Sequence, residues 1–322
     1  MLEPEIAAFV ERAVAMYPQD TASLSATEQR AIYDRYAAAF TPPLPAGVRV
    51  ENAHLRASAG HSIALRLYRP TEAAEGCPSG TVLYFHGGGF VLGSLDSHEI
   101  VTARLAADTG LCVIAADYRL APEHRAPAAH DDCLDVTVAA LEGRLPFASL
   151  PAGVQLAGDS AGGNLAASVA LRLRDRGMDG VRGMVLVYPM LGAEPQSPAR
   201  ETEAHAPLLS LADVHAFRTL YWGEARGKTL GDTPTLRWTL PLHADRFDNL
   251  PATLAIGVEH DPLRDDAQAF VQRIEVAGGV AQAWVGEGLV HGCWRALATS
   301  PGVQCLHDVA CRFLLARAHE PG

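Results

Sequence analysis

Val154-Gln155-Leu156-Ala157-Gly158-Asp159-Ser160-Ala161-Gly162 carries a short apolar strand directly into a glycine-flanked serine, and a helical pattern leaves it at once. In that pattern Leu165, Val169 and Leu173 repeat at the i, i+4 spacing of a buried helix stripe. A serine on so sharp a strand-to-helix turn is pushed into a strained backbone conformation, and the flanking glycines leave room for the close packing the turn requires. The turn also presents Ser160 Oγ at the carboxyl edge of a sheet, beside the positive end of the following helix. G-x-S-x-G alone also describes ordinary Gly/Ser turns. The strand before it and the helix after it make Ser160 the candidate nucleophile.

On either side of this stretch, short apolar runs alternate with helical patterns from about residue 48 onward. Val48 to Arg56 and Ser62 to Tyr68 alternate with period 2 and predict an antiparallel pair. Thr81 to Phe85, Leu111 to Ala116, Val154 to Ala157, Met184 to Tyr188, Thr253 to Val258 and Ala281 to Val285 are nearly continuous apolar runs. Strands covered by helices on both faces of a parallel sheet read this way. Helical candidates lie near 98–109, 128–143, 161–177, 264–277 and 303–317. The alternation predicts an α/β fold with a mostly parallel sheet.

Two segments break the alternation. Residues 1–40 read as two amphipathic helices, the second opening at a capping box of Ser25 and Glu28, and Pro42, Pro43 and Pro45 close the section. Residues 191–250 carry a helix from about Leu211 to Trp222, with Ser210 as N-cap and Gly223 as its stop. A helical insert after the nucleophile is where a lid would be placed.

Bulk properties narrow the partners. The 322 residues can bury a large core, and 48% hydrophobic with 20% charged residues is the composition of a globular chain, not a disordered one. The formal net charge of -11, with Lys228 as the only lysine and the arginines scattered, gives nucleic acid no electrostatic footprint. No run approaches the ~18 apolar residues of a membrane span, and the start lacks the pattern of a secretory signal, so no membrane insertion and a cytoplasmic location are expected. Cys77, Cys112, Cys133, Cys293, Cys305 and Cys311 are widely spread without a C-x-x-C pair, which predicts reduced thiols and no metal site. No cofactor is expected. A homodimer is compatible with these features, which do not set the number of subunits.

His86-Gly87-Gly88-Gly89-Phe90 follows the strand Thr81 to Phe85. No G-K-[ST] follows, so a P-loop is excluded, and the spacing to Gly93 does not fit a dinucleotide fingerprint. The run suits a backbone that must expose N–H groups to a developing negative charge. Gly88 and Gly89, with the N–H of Ala161, are the candidate oxyanion donors.

With this strand–turn–helix serine, the histidine and acid follow in the order Ser, Asp/Glu, His. Of the later histidines, His205, His215 and His243 fall in the insert, and His307 and His319 on or beyond the last helix. His291 sits on a loop shortly after the last apolar strand, with Gly292 beside it. After the preceding strand come Glu259, Asp261, Asp265 and Asp266. Asp261, fixed before Pro262, is the first choice and Glu259 the second; Asp265 and Asp266 are expected to act as first-turn partners of the helix dipole.

His86 to Phe90, Tyr118-Arg119-Leu120-Ala121-Pro122-Glu123-His124, Gly158-Asp159-Ser160-Ala161-Gly162-Gly163-Asn164, Asp261-Pro262-Leu263-Arg264-Asp265 and His291-Gly292 together resemble the bacterial hormone-sensitive-lipase family (family IV) of esterases. Asp159 makes the chain similar to its GDSAG branch. The resemblance implies an α/β-hydrolase fold: an eight-stranded, mostly parallel sheet flanked by helices, with a helical cap. It implies cap helices in 1–45, a catalytic domain in 46–190 and 251–322, and a cap insert at 191–250. It further implies Ser160, Asp261 and His291 as triad, Gly88, Gly89 and Ala161 as oxyanion donors, and short-to-medium acyl esters as small-molecule substrates. Phe217, Tyr221 and Trp222 are candidates to line the substrate pocket, with packing inside the cap as the alternative. Glu123 and His124 read as structural. Where family members often carry phenylalanine after His-Gly, this chain has Cys293. Amide or lactone hydrolysis would need the same machinery. A non-catalytic binding role, as in the plant gibberellin receptors that resemble this family and lack the histidine, fits poorly with His291 in place.

Overall fold

Five of the six apolar runs become inner strands of a single sheet, with side chains covered on both faces, whereas the run 281–285 falls on an edge strand with Val285 exposed. A computed structural model describes residues 1–18, 21, 24–71, 80–223 and 237–318; Cys77, Lys228 and His319 lie outside them. The chain opens with α1 (Pro4–Val14) and α2 (Ala26–Phe40), then the antiparallel strands β1 (Val48–Arg56) and β2 (Ser62–Pro70). Next come β3 (Thr81–Phe85), α3 (Glu99–Thr109), β4 (Cys112–Asp117), α4 (Ala128–Leu141), β5 (Val154–Asp159), α5 (Ala161–Asp175) and β6 (Val181–Val187). The insert holds the short α6 (Ala199–Thr202) and α7 (Leu211–Trp222), and the chain closes with β7 (Ala252–His260), α8 (Arg264–Val276), β8 (Ala281–Val290) and α9 (Pro301–Ala318).

The strand order is β1-β2-β4-β3-β5-β6-β7-β8, parallel from β4 to β8. This is the α/β-hydrolase fold with a helical cap region. Alternate residues serve opposite faces: Leu83 and Phe85 of β3 join the cluster under α4, α5 and α8, while Val82 and Tyr84 join the one under α3 and α9. β3 and β5 are neighbours although β4 lies between them in sequence. The chain therefore winds in opposite directions from that point, and a crevice opens at the carboxyl ends of the two strands.

The expected capping box of Ser25 and Glu28 forms, and the Ser210 N-cap is part of a second box with Asp213. β8 extends further than its apolar run. Gly286 and Gly288 interrupt the run, yet pairing with β7 continues across a register shift to His260 and Val290. His291 is therefore the first residue after the strand.

Candidate active site

The serine turn is built by exclusion of side-chain volume. A Cβ at Gly162 would overlap the carbonyl of Phe85, so only glycine lets α5 start this close to β3. Ser160 is held at φ 55° and ψ −118°, a conformation costing about 1–3 kcal/mol that the surrounding packing must enforce. Its N–H is tied to the carbonyl of Val187 at 2.8 Å.

Ser160 Oγ lies 2.9 Å from Nε2 of His291, and Nδ1 of His291 lies 2.7 Å from Oδ2 of Asp261. The carboxylate accepts a hydrogen bond from the Nδ1–H, which leaves Nε2 as the acceptor for the serine hydroxyl. Asp261 is wholly buried and its Oδ1 accepts the Leu263 N–H at 2.8 Å. The other acids have different partners. Glu259 accepts the Gly288 N–H at 2.6 Å, and Asp265 the Ala199 N–H at 2.7 Å.

Asp266 departs from its expected role. Rather than only facing its own helix terminus, it is buried and accepts N–H groups of Leu191, Gly192 and Gln196, at 2.7, 3.2 and 2.9 Å. It fastens the segment that leaves the sheet for the insert. Burial raises its carboxyl to about 7, against the pull of those three N–H bonds.

The glycine loop after β3 is aimed by its carbonyls. The Gly87 carbonyl accepts from Nδ1 of His86 at 2.8 Å, and the Gly88 carbonyl accepts from the N–H groups of Val91 and Leu92. In a trans peptide C=O and N–H point opposite ways, so these bonds turn the N–H groups of Gly88 and Gly89 away from their own loop. Neither N–H has an acceptor among the described residues. Gly88 sits at φ 117°, which excludes other residues there. Ala161 begins α5, so its N–H has no carbonyl one turn back. Burial lowers His86 to about 3, which keeps it neutral.

Phe217 of α7 reaches this loop: a Cβ at Gly89 would overlap its ring. Tyr221 and Trp222 do otherwise. Tyr221 has no exposed surface, stacks on Phe90 with centroids 4.1 Å apart and bonds Nδ1 of His130 at 2.6 Å. Trp222 donates to Oγ1 of Thr239 at 2.8 Å and packs edge-on against Tyr221. Both rings are therefore buried among Phe90, His130 and Thr239. Glu123 pairs with Arg30 of α2 at 2.7 Å, joining the N-terminal helices to the loop after β4.

Missing from the sequence reading are His98, Arg295 and Tyr33, which cluster behind Asp159. Arg295 donates to the Tyr33 hydroxyl at 2.8 Å, and His98 Nε2 lies 3.5 Å from Oδ2 of Asp159. The one available signal was an arginine inside the apolar run Cys293-Trp294-Arg295-Ala296, which demands a buried partner. Burial pushes the Asp159 carboxyl up, but facing His98, with the Tyr84 hydroxyl and Arg295, more than offsets this and holds it well below the carboxylate range.

A strained serine at a strand-to-helix turn and an imidazole held in one tautomer by a buried carboxylate define a serine hydrolase. A sequence model described as alpha/beta hydrolase fold matches residues 82–295, and the chain belongs to that family. It is 36% identical to an esterase of Mycobacterium tuberculosis, LipI, over 78% of this chain and 76% of that protein. It is 31% identical to an ethyl acetate hydrolase of Pseudomonas putida, over 91% and 92% of the two chains. Among solved structures, an ester hydrolase from the metagenome of Lake Arreo superposes with a TM-score of 0.87 at 30% identity, covering 98% of this chain and 99% of that one.

Proposed function

We propose that the chain is a carboxylesterase of the GDSAG branch of the bacterial hormone-sensitive-lipase family, acting on short-to-medium acyl esters. The observation that carries this reading is the continuous hydrogen-bond chain Ser160–His291–Asp261, with distances of 2.9 and 2.7 Å. His291 removes the Ser160 proton as Oγ attacks the ester carbonyl, the N–H groups of Gly88, Gly89 and Ala161 receive the oxyanion, and the protonated imidazole returns its proton to the leaving alcohol. Water then attacks the acyl-enzyme by the same route. Similarity to proteins named as esterases and ethyl acetate hydrolase supports ester over amide or lactone substrates.

We assign the cap to residues 1–45 and 191–250, over a catalytic unit of 46–190 and 251–322, because β1 starts at Val48 and the sheet is left at Val187 and rejoined at Ala252. Phe217 limits the pocket. The five described cysteines are free thiols, in keeping with a reducing cytoplasmic compartment, and no described helix is long and apolar enough to cross a membrane.

A panel of p-nitrophenyl esters of rising chain length, with phosphonate labelling, tests the reading. Turnover is expected to peak at short-to-medium chains, and folded Ser160→Ala to lose both labelling and turnover. Ester turnover persisting in Ser160→Ala sinks the mechanism, and flat activity across long chains sinks the acyl preference.

A further inference from the structure

We infer that Asp159 is a positioning residue of the reaction, which sets the oxyanion loop through a hydrogen bond from the Gly87 N–H to its Oδ1. The inference rests on the ester-hydrolase reading of Ser160.

The bond measures 2.9 Å, and the same oxygen accepts the Tyr84 hydroxyl at 2.6 Å. On the other side of the loop, the Tyr118 hydroxyl donates to the His86 carbonyl at 2.6 Å. The His86 carbonyl and the Gly87 N–H belong to one rigid peptide plane, so that plane is gripped at both ends. It is the base from which Gly88 and Gly89 project. A rotation there would swing both candidate donors away from the oxygen they must meet, and such donors act only within about 2.7–3.1 Å. Space is equally tight, since a Cβ at Gly87 would overlap Oδ2 of Asp159.

A buried carboxylate is a costly choice of anchor here. It places a negative charge beside a site that must accumulate a second one, and only a nearby cation makes that tolerable. Arg295, 6% exposed, supplies it, with His98 lying 3.5 Å from both the arginine Nη2 and Oδ2 of Asp159. Oδ1 thus serves the loop while Oδ2 faces the compensating side. Arg295 lies on the turn Cys293–Ala296, just after His291, and bonds Tyr33 of α2. One network therefore ties together the serine turn, the oxyanion loop, the histidine loop and an N-terminal helix.

The test compares wild type with Asp159→Ala and Asp159→Asn, measuring kcat, KM and the affinity of two ketones. A trifluoromethyl ketone adds Ser160 and forms an oxyanion, whereas its methyl counterpart binds without adding. Asp159→Ala is expected to lose roughly 10- to 100-fold in kcat, less than the ~10²–10³ of a donor removed outright. KM and methyl-ketone binding should barely move, while trifluoromethyl-ketone affinity falls with kcat. Asp159→Asn keeps the Oδ1 acceptor and should recover most of the loss. Asp159→Cys, of similar size and a poor acceptor, makes the same comparison if the alanine variant does not fold. Wild-type kcat in the folded Ala or Cys variant, or equal loss of both ketones, overturns the inference. Absence of turnover in the wild type would instead remove the ester reading itself.

Discussion

Nδ1 of His291 and Oδ2 of Asp261 stand 2.7 Å apart, and Asp261 has no exposed surface. The pair comes from the ends of adjacent strands, β8 and β7, so sheet register rather than loop flexibility sets their separation. An amide in place of the carboxylate would offer Nδ1 a donor as readily as an acceptor and favour the wrong tautomer. Asp261→Asn is expected to lower kcat by roughly 10⁴-fold with KM little changed. Steady-state kinetics on a p-nitrophenyl ester checks this, and a loss below tenfold would mean another group orients the imidazole.

Phe217 extends from α7 to the oxyanion loop, the ring lying where a Cβ of Gly89 would be. Phe217→Ala removes that obstruction while Tyr221 and Trp222 keep α7 docked. The ratio of kcat/KM for longer against shorter acyl esters should rise by about fourfold per methylene newly accommodated, each worth about 0.8 kcal/mol when buried. An unchanged chain-length profile would remove Phe217 from the pocket.

Asp266 shows where the sequence was legible and where it was not. Strands, helices and the Ser25–Glu28 capping box follow from periodicity and from residues three apart, and the serine, histidine and acid follow from their places between those elements. A first-turn carboxylate, by contrast, is indistinguishable in sequence from one whose partners lie about seventy residues back, at Leu191, Gly192 and Gln196. The Asp159–His98–Arg295 cluster was hidden for the same reason. Its members come from four separate segments with Tyr33, and no local spacing links them. The contacts of Tyr221 were illegible for another reason, because an aromatic on a cap helix looks the same in sequence whether it faces a cavity or stacks on Phe90.

Removing the Asp266 carboxylate would strand three N–H groups at once, those of Leu191 and Gly192 buried and that of Gln196 half-buried. Asp266→Ala is expected to cost roughly 2–5 kcal/mol, from unmet donors at about 1–3 kcal/mol each with partial relaxation. Urea unfolding followed by fluorescence should show a lower midpoint at unchanged slope. A shift under 0.5 kcal/mol would mean that the segment leaving β6 is held by other contacts.

Acid should weaken the fold through its buried imidazoles. Burial lowers His86 and His130 to about 3 each, and His98 is lowered as well. An unfolded histidine takes up a proton near 6.5, so below that pH the unfolded chain binds protons that these folded sites refuse. Stability contributed by the neutral rings is therefore complete above about pH 6.5 and falls with pH, by up to about 1.4 kcal/mol per unit for each ring. Asp266 works in the other direction. Its carboxyl, raised to about 7, takes up its proton in the fold before it does in the unfolded chain, so between about pH 7 and 4 it returns up to the same amount per unit as pH falls. Asp34 and Asp117, raised by burial as well, work with Asp266 but less strongly, and the two rings, with His98 adding to them, outweigh these carboxyls. Guanidinium unfolding between pH 7.5 and 5 should thus give a midpoint that declines toward acid, and Asp266→Asn, which deletes the strongest opposing group, should steepen the decline. A midpoint constant or rising toward pH 5 would mean that these rings are protonated within the fold.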